Sequence, residues 1–120
     1  MYKYRSLVAW QRAHAVTVLT LKQCDSHYHP RSRSLFDQLR RATISIGANI
    51  VEGYALSTPL QFRRHLRIAL GSAAEAEYLT GLIAELQYLP KSTTSEIEAL
   101  LELCMATLHG LIRSTIPLTS

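Results

Sequence analysis

The sequence is poor in the residues that build special-purpose scaffolds. It holds two cysteines, Cys24 and Cys104, and neither belongs to a C-x-x-C pair. A disulfide framework and a Cys-based zinc site are therefore excluded, and a reduced cytoplasm is the expected setting. Five glycines are scattered and form no Gly-rich phosphate loop, and no G-x-S-x-G nucleophile elbow occurs. Long apolar runs are also missing. The stretch from Ala42 to Val51 is interrupted by Ser45, Gly47 and Asn49, and it is far short of the roughly 18 residues a membrane span needs. The N-terminal segment meets Arg12 before any apolar core with a cleavage site could form, so no secretory signal is expected.

What remains is a chain of 120 residues, 48% hydrophobic and 18% charged. That is too apolar for disorder and long enough for one domain, 1–120, with an adequate core. Leucine and alanine dominate the apolar set, which favours helix. Four prolines, Pro30, Pro59, Pro90 and Pro117, stand between periodic segments. Proline inside a helix costs about 3 kcal/mol, so these residues act as punctuation, and four helices are predicted.

The first helix should cover about 7–24, with Ser6 as N-cap and a stripe of Leu7, Trp10, His14, Thr17, Leu21 and Cys24. The second, about 34–53, opens on Ser34 and Asp37 as a capping-box variant, buries Leu35, Leu39, Ala42, Ile46 and Ile50, and stops at Gly53. The third, about 59–88, has Ser57 or Thr58 as cap and Pro59 in the first turn. It carries two apolar stripes: Phe62, Leu66, Ala69, Ala73, Ala76 and Ile83 on one, Ile68, Leu79, Leu82, Leu86 and Leu89 on the other. The second stripe suggests a contact beyond the helix's own core. The fourth, about 94–114, begins between Ser92 and Ser95, with Ser95 and Glu98 as a second capping box, and buries Ile97, Leu100, Leu101, Leu108, Leu111 and Ile112. Short connections make an all-α antiparallel up-down four-helix bundle the simplest fold.

Charge is unevenly spread. Residues 1–67 carry eleven basic and three acidic side chains, a net of +8, and residues 68–120 carry two basic and six acidic, a net of −4. Arg40 and Arg41 on the second helix and Arg63, Arg64 and Arg67 on the third are candidates for a basic, phosphate-binding face, with Arg12 in addition. Counting from the turn between these helices places Arg41 roughly 18 Å and Arg67 roughly 12 Å from it, on neighbouring levels. The competing reading is a solvated face, or charge paired with the acidic half of the same or a neighbouring subunit.

Catalysis has no visible home. No glutamate has a histidine three residues on, which removes the inward-facing Glu-x-x-His pairs of di-metal bundles. His27 and His29 sit in a loop without a third ligand, and His14, His65 and His109 lie apart on helices. No metal and no cofactor are expected. Asn49 and Glu52, three apart at the end of an apolar helix, read as a polar clamp on the following turn, with a ligand or catalytic role as the alternative.

These segments together resemble the 23S rRNA intervening-sequence family of four-helix bundles. The resemblance is carried by Leu7-Val8-Ala9-Trp10-Gln11-Arg12-Ala13-His14, by Gln38-Leu39-Arg40-Arg41-Ala42, by Asn49-Ile50-Val51-Glu52-Gly53, and by the run from Leu66 through Gly71-Ser72 to Glu75. Gly47 departs from the pattern, where the family usually has proline, and so a softer bend in the second helix is expected. The resemblance implies a cytosolic bundle that assembles with itself as a homopentamer and has no established catalytic activity. It is related to accessory bundles of diversity-generating retroelements, which engage a polymerase and nucleic acid. RNA or DNA is thus the first expected partner, and an acidic protein such as a polymerase the second.

Overall fold

The structure is a computed structural model and describes residues 3–56 and 58–114. Four helices follow a 3₁₀ turn at Lys3–Ser6: α1 (Val8–Ser26), α2 (Arg33–Ala55), α3 (Pro59–Leu86) and α4 (Lys91–Ser114). A second 3₁₀ turn, Pro30–Ser32, leads into α2, and the described residues contain no strand. Consecutive helices pack on one another, and α4 packs on α1. Cross-helix pairs give the directions. Ser45 meets Ser72 while Asn49 meets His65, so α2 and α3 run opposite ways. Arg12 reaches Leu103 while Thr93 reaches Gln23, so α1 and α4 do the same.

The core is a column of aliphatic side chains with one phenylalanine, Phe36, among them. Phe36, Leu39, Ile46, Ile50, Leu66, Ile83, Ile97, Leu101 and Leu108 are fully buried. The predicted buried faces of α2 and α4 and the first stripe of α3 supply most of it. In α1 the buried face is turned by about one residue from the expected stripe: Ala9, Ala13, Val16, Thr20 and Cys24 point inward. The reason is size. Alanines let α1 lie close to its neighbours, whereas Trp10 is displaced to the flank, where it stacks on His14 at 4.7 Å and meets Tyr4 edge-on at 5.3 Å.

The helix ends also differ from expectation. Leu7, not Ser6, is the N-cap of α1, and the Ser6 hydroxyl turns back to the Lys3 carbonyl. Helix α2 begins at Arg33, so Ser34 lies inside it, and Asp37 pairs with Arg33 and Arg40 instead of capping. Helix α4 begins four residues before Ser95, on the Pro90 carbonyl that accepts from the Thr93 and Thr94 amides. Thr58 does cap α3, its hydroxyl accepting from the Gln61 amide at 3.2 Å. Helix α3 ends two residues earlier than expected, at Leu86, with Gln87 in the left-handed region (φ 59°). No glycine marked that stop. Pro117 lies outside the described residues.

Gly53 does not end α2, which continues to Ala55. Its function is close approach: a Cβ there would sit 2.6 Å from the Cβ of His65. Absence of a side chain at this position is what lets α2 and α3 converge just before the three-residue turn joining them.

Candidate nucleic-acid interface

Folding redistributes the charge. The antiparallel helices place residues 3–16, 45–56, 58–72 and 103–114 in one half of the bundle, around the α2–α3 turn. This half contains Lys3, Arg5, Arg12, Arg63, Arg64, Arg67 and Arg113, with Glu52 as its one acid, a net of +6. The opposite half, around the α1–α2 and α3–α4 connections, holds six basic and eight acidic side chains, a net of −2. The sequence-order split of +8 and −4 thus becomes an end-to-end polarity.

The six candidate arginines do not form one patch. Arg40 is held at 2.8 Å by Asp25 and at 3.0 Å by Asp37, which ties the end of α1 to α2. Arg12 donates to the Leu103 carbonyl and the Thr107 hydroxyl and ties α1 to α4. Arg41 is exposed beside Arg33 and Asp37 in a shallow depression. With Ser45 facing Ser72, Arg41 falls level with the segment around Glu75. That is about eight residues, or roughly 12 Å, from Arg67 along the bundle. The two groups are therefore not on neighbouring levels, because α2 runs past Gly53 and the Asn49–His65 contact sets the register.

Arg63, Arg64 and Arg67 do converge. With Leu60, Gln61 and Ile68 they line an open groove of about 550 Å³ on the first three turns of α3. Arg64 and Arg67 are exposed and make no ion pair with a described residue. Arg63 is half-buried, and its Nε is enclosed without a hydrogen-bond acceptor. Leu60 is 76% exposed and Ile68 44%. Two exposed apolar side chains therefore bracket the three arginines along this part of α3.

A polar chain crosses the interface between α2 and α3. The Asn49 amide donates to the Ser45 carbonyl at 2.9 Å and to its hydroxyl at 3.1 Å, and its Oδ1 lies 3.0 Å from His65 Nδ1. The Ser45 and Ser72 hydroxyls are 2.8 Å apart. Four polar residues are thus joined across the α2–α3 interface, where each buried group needs a partner. Asn49 fastens the two helices through His65, whereas Glu52 stands exposed and takes no hydrogen bond or ion pair with a described residue. The expected clamp of Asn49 with Glu52 is therefore replaced by Asn49 with His65. Sequence spacing could not reveal that partner, since His65 lies on the other helix.

Among the described residues, no group of three or more His, Cys, Asp or Glu is placed to hold a metal ion. His29 caps the second 3₁₀ turn through Nδ1, and His27 bonds back to the Gln23 carbonyl at 3.1 Å. Burial pushes both thiols up to about 11, with Arg40 lowering and Asp25 and Asp37 raising Cys24, and Arg12 lowering Cys104. Neither cysteine is poised as a nucleophile. No described helix is long and apolar enough to cross a membrane.

With this geometry in view, residues 5–110 match the family model of 23S rRNA-intervening sequence proteins. The chain belongs to that family. Among solved structures it is similar to a protein of unknown function from the S23 ribosomal protein family of Bacteroides thetaiotaomicron. The two share 23% identity and a TM-score of 0.82, over 88% of this chain and 99% of the other. No curated protein matches. At that identity the likeness of this family member to the Bacteroides protein is one of fold, and the family is one of uncharacterised function.

Proposed function

We propose that this family member is a non-enzymatic, cytoplasmic, self-assembling bundle that binds RNA or DNA through its basic end. One observation supports this most: Arg63, Arg64 and Arg67 share one groove in the half of the molecule whose net charge is +6. Guanidinium groups without carboxylate partners are the form in which a protein offers charge to phosphates, each neutralised phosphate releasing counterions. The groove, not the longer face including Arg12, Arg40 and Arg41, is the binding element. Arg12 and Arg40 serve packing, and Arg41 adds long-range attraction only. Filter binding across a salt series tests the reading. Affinity should fall as salt rises and collapse in Arg64→Glu/Arg67→Glu, and binding unaffected by that double reversal would sink it.

A second reading is favoured by the exposed Leu60 and Ile68 that bracket the arginines. Here the bundle is a scaffold whose groove docks an acidic protein such as a polymerase. Titration with an acidic helical peptide separates the two, since a scaffold binds the peptide more tightly than any oligonucleotide. Assembly as a homopentamer accompanies both readings. It predicts a mass by light scattering well above the 13.5 kDa of one chain.

A further inference from the structure

We infer that the groove takes a single-stranded, base-exposing stretch of RNA or DNA and discriminates against duplex. The inference rests on the nucleic-acid reading above and narrows its ligand. Two observations lead to it.

The first is the mixed lining of the groove, in which Leu60 and Ile68 bracket the arginines. Leu60, Arg64, Arg67 and Ile68 share one side of the helix, at separations of four, seven and eight residues from Leu60, and all four are exposed. A duplex presents a sugar–phosphate surface, against which Leu60 and Ile68 would be set opposite charge. A single strand presents both phosphates and unpaired base faces, so both kinds of side chain find a partner.

The second observation is the Arg63 side chain, which lines the groove and keeps its Nε enclosed as a donor without an acceptor, so the local hydrogen bonding is not closed by the described residues.

The test is fluorescence anisotropy with a labelled single strand of about 12 nucleotides, within the range of one ssDNA-binding fold, and the blunt duplex of the same strand. The single strand should bind about tenfold tighter, the amount that one base contact of about 1.4 kcal/mol provides. Its log affinity should fall against log salt with a slope of about −2, for three phosphates at about 0.7 each. Leu60→Ser/Ile68→Ser, exposed changes that leave the core intact, should bring the two affinities together without altering the salt slope. Equal binding of both ligands by the native protein overturns the inference while leaving the nucleic-acid reading in place. So does an equal loss for both ligands in the serine variant. Failure of both ligands to bind at low salt overturns the reading itself, as does an acidic helical peptide that outcompetes the single strand.

Discussion

The two ends of this bundle handle charge in opposite ways. At the end formed by the α1–α2 and α3–α4 connections, cations are spent on the protein itself. The three ion pairs that join described residues, Arg33–Asp37, Arg40–Asp25 and Arg40–Asp37, all lie there, and Arg31 sits over the Tyr88 ring at 5.6 Å. At the α2–α3 end Arg64 and Arg67 are left without acids, and the helices are joined instead by neutral hydrogen bonds through Ser45, Asn49, His65 and Ser72. The contrast has a physical logic. An end held together by carboxylates offsets its own positive charge, whereas one held by amide, imidazole and hydroxyl groups leaves Arg64 and Arg67 unneutralised. Cohesion at the basic end is bought without neutralising it.

The largest effect that can break this comparison is on binding. Arg64→Glu/Arg67→Glu should weaken an RNA or DNA oligonucleotide by about 100-fold at low salt, through lost counterion release and added repulsion. Arg40→Gln at the paired end should change affinity less than threefold. If both variants lose binding equally in a filter assay, net charge and not the groove is responsible.

Next come two glycines on facing helices. Gly53→Ala forces a Cβ to within 2.6 Å of the His65 Cβ and should destabilise the fold by about 1–3 kcal/mol in urea unfolding. Gly71→Ala meets nothing within 4 Å and should stabilise by up to about 1 kcal/mol, because alanine is the better helix former. A stable Gly53→Ala protein would mean that α2 and α3 converge less tightly than a 2.6 Å Cβ–Cβ approach requires.

The two kinds of cohesion can be compared directly. Asn49→Ala leaves His65 and Ser45 short of partners in a half-buried interface and should cost about 1–2 kcal/mol, insensitive to salt. Arg40→Gln removes a pair in which Asp25 is 77% exposed, so it should cost no more than about 1 kcal/mol, and less at high salt. Denaturant titrations at two ionic strengths check both.

Legibility from sequence followed the same division. The four helices and the core of α2, α3 and α4 were readable because aliphatic side chains recur at helical spacing and proline cannot sit inside a helix. The α1 face was misread because Ala9, Ala13 and Thr20 bury more completely than Trp10, and small residues give a weak signal. Gly53 was read as a stop, since glycine commonly ends helices, when its part is to admit His65. The candidate arginines were identifiable by type alone. Which of them is consumed by packing depends on Asp25 and Thr107, and on a register set between helices. Local spacing carries no such information.

The smallest expected effect is a difference near zero, between the two thiols. Cys24 lies at the paired end among Arg40, Asp25 and Asp37, and Cys104 lies in the basic half near Arg12. If the end-to-end polarity reached the core, Cys104 would ionise far more easily than Cys24. Burial is the largest influence on both, however, and pushes each to about 11. A thiol in the unfolded chain ionises near about 8.5, so the folded state retains the proton where the unfolded state has lost it. Stability from this source is fully present below about pH 8.5 and is lost as pH rises towards 11. Unfolding measured from pH 7 to 10.5 should therefore show a decline that shrinks by the same amount in Cys24→Ala and in Cys104→Ala. At pH 8 a thiol reagent should label both at one slow, opening-limited rate. Faster labelling of Cys104 alone would show that the basic end's field penetrates the packing, and would make the polarity a property of the whole molecule instead of its surface.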